Sequence, residues 1–403
     1  MCQMTLSTPL LRSEEFHHEL IHNILPFWTG RMVDLENGGF YGRIDGHNIL
    51  HDHADKGVIL NTRILWTFCA AYDYHNKEEY LTMAHRAFQY IVRYFMDTSY
   101  GGVYWMLDHR GGPVDIKKQI YAQAFALYAF SEYYRVTQSE EALELCIRLF
   151  RNIESFSFDH GNNGYLEAFD REWRPLNDFR LSEKDINAAK TMNTHLHILE
   201  AYTHLYRIWP DDTLRRQLKN LIELFTDKFI RSDHHFHLFF DKEWQLMSDG
   251  ISYGHDIEGS WLLTEAAAVL KDPALLRKVQ KVAVKMVEAS LEGMDEDGAL
   301  MNEADGKGQV DTDKHWWPQA EALVGFVNAW QITGDHGYLR YAENNWRFVQ
   351  EHIIDHENGE WVWSVTKSHD RVPHEDKAGP WKCPYHNSRA MIELVKRLSK
   401  HAL

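Results

Sequence analysis

The strongest constraint on the fold is an internal repeat. Five times along the chain an apolar, helix-periodic stretch ends in a short polar break and a second helical stretch begins. The breaks are YDYHNKEEYL ending at Leu81, YRVTQSEEAL at Leu143, YRIWPDDTL at Leu214, AVLKDPAL at Leu275 and WQITGDHGYL at Leu339. Asn, Ser, Pro and Asp at these points are expected to stop one helix and cap the next. The period, roughly 60–70 residues, exceeds that of two-helix solenoid repeats, so each unit must hold something more.

After each second helix comes a segment of alternating aromatics around Gly, Asn or Asp: GGFYGRID, GGVYWMLD, NGYLEAFDREW, HHFHLFFDKEW, DGALMNEADG and NGEWVWSV. Period-two alternation around turn residues predicts short β-hairpins. One lone helix near Ser13 to Thr29 opens the series and another, near Cys383 to Lys400, closes it. Five pairs and one split pair give twelve helices, the number that closes into an all-α (α/α)6 barrel with short β-hairpins in its connecting loops. The first helix is then free to pack on the last. A chain of 403 residues has room for two or three domains, but no Pro- or Ser-rich linker interrupts this one, so residues 1–403 are expected to form a single domain.

A net charge of −16 excludes a basic stripe for nucleic acid or an anionic membrane and favours a neutral ligand. The chain is expected to act without a membrane partner, as a monomer or weak homodimer. No apolar run reaches the roughly 20 residues of a membrane span. The four cysteines, Cys2, Cys69, Cys146 and Cys383, form no CxxC pair, and the first residues lack the basic-then-apolar pattern of a signal peptide. Reduced thiols and a cytoplasmic location are the expectation.

In such a barrel the helix after each hairpin is the inner one, and its N-terminal end faces the mouth. Chemically capable residues gather at those ends: Arg63 and Trp66; Tyr121; Asn193, His195 and His197 in TMNTHLHILEAY; His255, Glu258 and Trp261 in YGHDIEGSW; Trp316, Trp317 and Glu321 in HWWPQAEAL; Trp381 and His386 in GPWKCPYHNSRAMIE. With 25 His in the chain, most are solvated or structural, and His17, His18, His51, His53, His234 and His235 are assigned to the surface or to turns. His197 shares a helical face with Asn193, whereas His195 points elsewhere. His255 and Glu258, at i and i+3, are expected to hydrogen-bond. Of the Trp316–Trp317 pair, at most one ring should line a cavity. Arg63 on an inner helix calls for an anion or a dense set of acceptors.

No GxxxxGK[ST] or strand-following GxGxxG is present, so no nucleotide cofactor is expected, and no HExxH or three-ligand pattern points to a metal. Two histidines facing a sugar from opposite sides suit inversion of a carbon next to a carbonyl. Imidazole, with a pKa of about 6.5, serves as either base or acid near neutrality. The enediolate so formed needs a fixed positive partner, for which Arg63 is the candidate, helped by Tyr121 or His197. Two rivals stand beside this reading: glycoside hydrolysis by Glu258 and Glu321 as paired carboxylates, and a non-catalytic sugar-binding protein.

The motifs NTHLHILEAYTHLYRIW, SYGHDIEGSWLLTEAA, WWPQAEAL and GPWKCPYHNSRAMIE resemble those of the N-acylglucosamine 2-epimerase superfamily, and the resemblance covers essentially the whole chain. It implies an (α/α)6 barrel and reversible epimerisation at C2 of a reducing-end sugar, a disaccharide or a free monosaccharide such as mannose or glucose. It implies no metal or nucleotide. By motif position it implies His255 and His386 as the acid/base pair, with Arg63, Tyr121, Asn193 and His197 holding the ring-opened sugar. Glu258 would support His255, and Trp317, Glu321 and Trp381 would bind and stack the sugar; Trp261 joins them as a candidate contact. Some aldose–ketose isomerisation is expected from the same enediolate.

Overall fold

A computed structural model describes residues 11–399. The proposed signal-peptide-free start, Cys2 and Lys400 fall outside these residues. Twelve helices follow one another among the described residues. We number them α1 (Ser13–Glu19 and Leu25–Gly30, joined by a π turn over Leu20–Ile24), α2 (Val58–His75), α3 (Glu78–Tyr90), α4 (Ile120–Thr137), α5 (Glu140–Asn152), α6 (Met192–Ile208), α7 (Asp212–Leu224), α8 (Tyr253–Val269), α9 (Pro273–Ser290), α10 (Trp316–Thr333), α11 (Gly337–Phe348) and α12 (Tyr385–Ser399).

Sequence decides which helices go inside. In α2 every residue from Val58 to Ala71 is buried, and in α4 every one from Ile120 to Tyr133, so these helices have no solvent face. In α7 burial is confined to Leu214, Leu218, Leu221, Ile222 and Leu224, the stripe of an outer helix. The breaks behave as caps. Asp211 accepts from the N–H of Thr213 and Leu214, Asp272 from those of Ala274 and Leu275, and Ser139 from that of Ala142. Gly334, at φ 75°, ends α10 in the left-handed conformation that glycine adopts without strain.

The even-numbered helices contact one another in sequence, and α12 returns to α2, so the inner ring is closed; α1 packs on α12, joining the split pair. This is the (α/α)6 barrel. The hairpins are present and short, as in Met106–Leu107 with Pro113–Asp115 and Glu303–Ala304 with Val310–Asp311. Within a segment the turns hold mostly isolated bridges, such as Met96 with Val103 and Phe158 with Tyr165. Most of the two-residue strands pair between units: Lys56 with Leu107, Lys118 with Phe169, Lys190 with Phe240, Ile251 with Ala304 and Lys314 with Val365. The bridge between Ala378 and Ile44 carries the same pairing from the last unit to the first. A belt of six strand contacts thus surrounds the mouth.

Beneath the belt runs a ladder of buried ion pairs: Lys56–Asp34 (2.7 Å), Lys118–Asp97 (3.0 Å), Lys190–Asp159 (2.9 Å), Lys314–Asp295 (2.7 Å) and Lys377–Asp355 (2.6 Å). Each Asp also accepts backbone N–H groups of its own turn, as Asp34 does from Glu36 and Asn37. In the fourth unit the matching positions hold Ile251 and Arg231, so both charges change together and neither is left unpaired. His235, assigned above to the surface, is instead buried, with Nδ1 2.7 Å from Asp256.

Candidate active site

The N-terminal ends of the inner helices surround a cavity of about 170 Å³. Arg63, Tyr121, Asn193, His197, His255, Glu258, Trp317, Trp381 and His386, all singled out from the sequence, line it. So do Trp316 and Trp363. Both rings of the Trp316–Trp317 pair therefore border the cavity, against expectation, and Trp363 was not foreseen, because it sits in a loop that helical spacing does not reach. The ring of Trp317 lies between the two histidines, with centroids 4.7 Å from His255 and 5.7 Å from His386.

Arg63 is the outstanding group. It is 3% exposed, and no carboxylate among the described residues pairs with it. Its guanidinium donates to Tyr121 Oη (2.8 Å) and to Cys383 Sγ (3.7 Å), and rests over the rings of Phe125 (4.3 Å) and Tyr385 (5.0 Å). Its Nε has no partner. A buried cation without a counter-ion is a site for an anion. The inner-helix N-termini around it add positive potential of the same sign.

The histidines are held from behind. His386 Nδ1 lies 2.7 Å from Glu321 Oε1, and His197 Nδ1 lies 3.0 Å from Glu200 Oε2. A carboxylate there takes the Nδ1–H and leaves Nε2 bare towards the cavity. His255 Nδ1 meets the Ser252 hydroxyl at 2.8 Å. Burial lowers the pKa of His255 to about 3, with His197 adding to the effect, and takes His386 well below the imidazole range, with Arg63 and Arg389 adding. Both are neutral near pH 7.

Three expectations are corrected. Glu258 does not bond His255: one oxygen accepts from Arg389 at 2.8 Å, and the other, Oε2, is buried without a partner. Glu321 faces away from the cavity, between His386 Nδ1, Trp261 Nε1 (2.9 Å) and Arg389 (2.7 Å). Trp261 therefore supports Glu321 and does not line this cavity. His195 is a scaffold residue: Nε2 accepts from the N–H of Tyr165 at 2.9 Å and Nδ1 lies 2.7 Å from the Thr191 carbonyl.

At the centre of this support stands Arg389, which the sequence reading passed over. It binds Glu200 and Tyr385 through one terminal nitrogen, and Glu258 and Glu321 through the other. Arg389 and His197 hold Glu200 low against burial, whereas burial and the Glu321 charge push Glu258 far up, leaving it the neutral member. The signal was available: Glu200 and Arg389 follow His197 and His386 at i+3, the spacing at which helix side chains meet. Glu258, Glu321 and His386 also form the one set of three ligand atoms within 4.8 Å of one another among the described residues. Arg389 supplies the positive charge there.

The family model for N-acylglucosamine 2-epimerase matches residues 39–390. The chain belongs to this family. It is 52% identical to the cellobiose 2-epimerase of Bacteroides fragilis over 95% of its length and 98% of that protein. It is 43% identical to the cellobiose 2-epimerase of Ruminococcus albus, over 95% and 98% respectively. The solved structure of cellobiose 2-epimerase from Bacillus thermoamylovorans superposes with a TM-score of 0.92 at 42% identity, covering 96% of this chain and 99% of that one. Among the described residues, no helix of this N-acylglucosamine 2-epimerase family member is long and apolar enough to cross a membrane.

Proposed function

We propose that this family member is a cellobiose 2-epimerase: it reversibly inverts C2 of the reducing-end glucose of β-1,4-linked disaccharides such as cellobiose, and also of lactose or mannobiose. The observation that carries the reading is Arg63, a buried guanidinium with no carboxylate partner among the described residues, beside two neutral histidines on different helices. The sugar binds as its open-chain aldehyde, and one imidazole takes the C2 proton. The enediolate oxygens gain negative charge where Arg63, Tyr121 and His197 can donate to them. After rotation about C2–C3 the other imidazole returns a proton to the opposite face. His386, with its Nδ1–H taken by Glu321, is suited to begin as base. His255 is suited to begin as acid when Ser252 donates to its Nδ1, and the roles exchange in the reverse direction.

A disaccharide fits because a second cavity, of about 620 Å³, shares Asn193, His255 and Trp317 with the first and extends between the loops around Lys184 and His374. The hydrolase alternative fits poorly. Glu258 and Glu321 lie side by side on one guanidinium, whereas glycosidase carboxylates flank the scissile bond. We also read residues 1–403 as one domain, acting in the cytoplasm as a monomer or weak homodimer.

Turnover of cellobiose in heavy water is expected to place deuterium at C2 of the product; full retention of the original C2 hydrogen refutes proton transfer. His255→Ala and His386→Ala are expected to lower kcat by at least 10²-fold while ligand binding persists. Product chromatography over cellobiose, lactose, mannobiose, glucose and mannose separates the disaccharide reading from a mannose/glucose epimerase or an aldose–ketose isomerase. Release of glucose from cellobiose would instead mark a hydrolase.

A further inference from the structure

A further polar cavity lies at the opposite end of the barrel, among the C-terminal halves of α2, α4, α6, α8 and α12. Its volume, about 240 Å³, exceeds the 170 Å³ of the cavity that holds the two histidines. Glu200 and Arg389 border it and separate it from the site above. The proposed epimerisation makes no use of it.

The charges of its wall are already matched. Arg135 pairs with Glu132 (2.7 Å) and Asp73 (2.9 Å), Arg207 with Glu265, and Lys396 with Asp73 (3.7 Å). An ionic ligand would have to displace one of these pairs and strand its partner, a costly exchange in a part-buried setting. The same side chains keep spare carboxylate lone pairs and guanidinium N–H groups, interleaved with the aromatic rings of Trp66, Tyr128 and Trp261. The unpartnered Trp66 Nε1 and Arg389 Nε are closed off from the cavity, so the groups that face it are the carboxylates, the guanidinium N–H groups and the ring faces.

We propose that this cavity is a second binding site, for a neutral polyhydroxylated ligand the size of a monosaccharide. Its hydroxyl oxygens accept from spare N–H groups of Arg135 and Arg207, and its hydroxyl hydrogens go to Glu132 and Glu265. Because Arg389 spans the floor, a ligand here touches the residue that holds the carboxylates behind His197 and His386.

The probe is 1,5-anhydro-D-glucitol, a polyol with no anomeric hydroxyl, which cannot ring-open or turn over. Calorimetric titration of the full chain is compared with Thr203→Phe and Ile392→Phe, which fill the cavity from two different helices. Each filled variant is expected to bind one equivalent fewer than the unaltered protein while still turning over sugar. Crystals of the unaltered protein soaked in the probe are expected to show it against Trp66 and Arg389, a result that stands even if both variants misfold. Equal stoichiometry in all three proteins, or soaked crystals with water alone in the cavity, overturns the proposal.

Discussion

Replacing Arg389 by Met tests the support behind the histidines most directly. The substitution keeps much of the stem's bulk and removes the one cation shared by Glu200, Glu258 and Glu321, all of them buried. Removing one partner of a buried ion pair costs about 3–5 kcal/mol, because the other charge is left uncompensated. With about 2.1 cal/mol/K of unfolding entropy per residue and 403 residues, that loss lowers the melting temperature by roughly 4–6 °C. The deficit should also depend on pH. Without the guanidinium, Glu200 joins Glu258 and Glu321, which burial already raises, in having a folded pKa above the unfolded value of about 4.3. A carboxyl whose pKa is raised by folding contributes stability below its unfolded pKa and loses it as pH rises. The deficit against the unaltered protein therefore starts smallest near pH 4.5 and widens towards pH 8, by up to about 1.4 kcal/mol per pH unit for each carboxyl that folds protonated in the variant alone, Glu200 first. Chemical denaturation of both proteins across that range measures it. A deficit below about 1 kcal/mol, or one constant from pH 5 to 8, would refute the assignment of Arg389 as the buried counter-ion.

The structural role of His195 predicts that His195→Gln stays within about 1 kcal/mol, since Gln123 and Gln319 make the same bond to the N–H groups of Val103 and Leu300. His195→Leu should cost about 1–3 kcal/mol in urea denaturation and leave turnover per folded molecule unchanged; a selective loss of kcat would return His195 to the site. Lys56→Met strands Asp34 and is expected to cost about 3–5 kcal/mol, and a loss below 1 kcal/mol would show the ladder to be dispensable. Burial holds His195 and His255 at about 3, so the unfolded chain, with imidazoles near 6.5, takes up protons first as pH falls. Stability is then lost between pH 6.5 and 3 by up to about 1.4 kcal/mol per unit for each group, and His195→Gln should flatten that slope relative to the unaltered protein.

The barrel was legible because inner and outer helices differ in pattern and because the split pair pointed to closure. The buried lysines were not. Lysine is a surface residue by type, and only the matching Asp residues 19 to 31 positions upstream of Lys56, Lys118, Lys190, Lys314 and Lys377 let these side chains be buried. Most of the cavity-lining set was readable from position along the inner helices, but the direction of each side chain was not. Glu321 and Trp261 stand on the right helices and turn towards His386 and Arg389 instead of the cavity.

The repeat itself holds the information that would have divided scaffold from chemistry. Gln123, His195, Asp256 and Gln319 each accept an N–H from the turn that follows the preceding outer helix, and Asn387 reaches the matching turn through Glu360. With Asn61 they fix one register shared by six inner helices. Two residues later in each helix stand Arg63, Phe125, His197, Glu258, Glu321 and Arg389. These form one layer across the axis: Arg63 lies over Phe125, whose ring is 4.6 Å from that of His197, and Arg389 bonds Glu258 and Glu321. One residue before the register stand His255 and His386, and two before it Tyr121, Asn193 and Trp317. The bonds to the turns fix the rotation of five of the six inner helices, so the neighbouring positions there must face the axis whatever residues fill them. His195 and His197 thus differ in role because they differ by two positions in a six-fold frame, and the histidine content of the segment carries no part of that distinction.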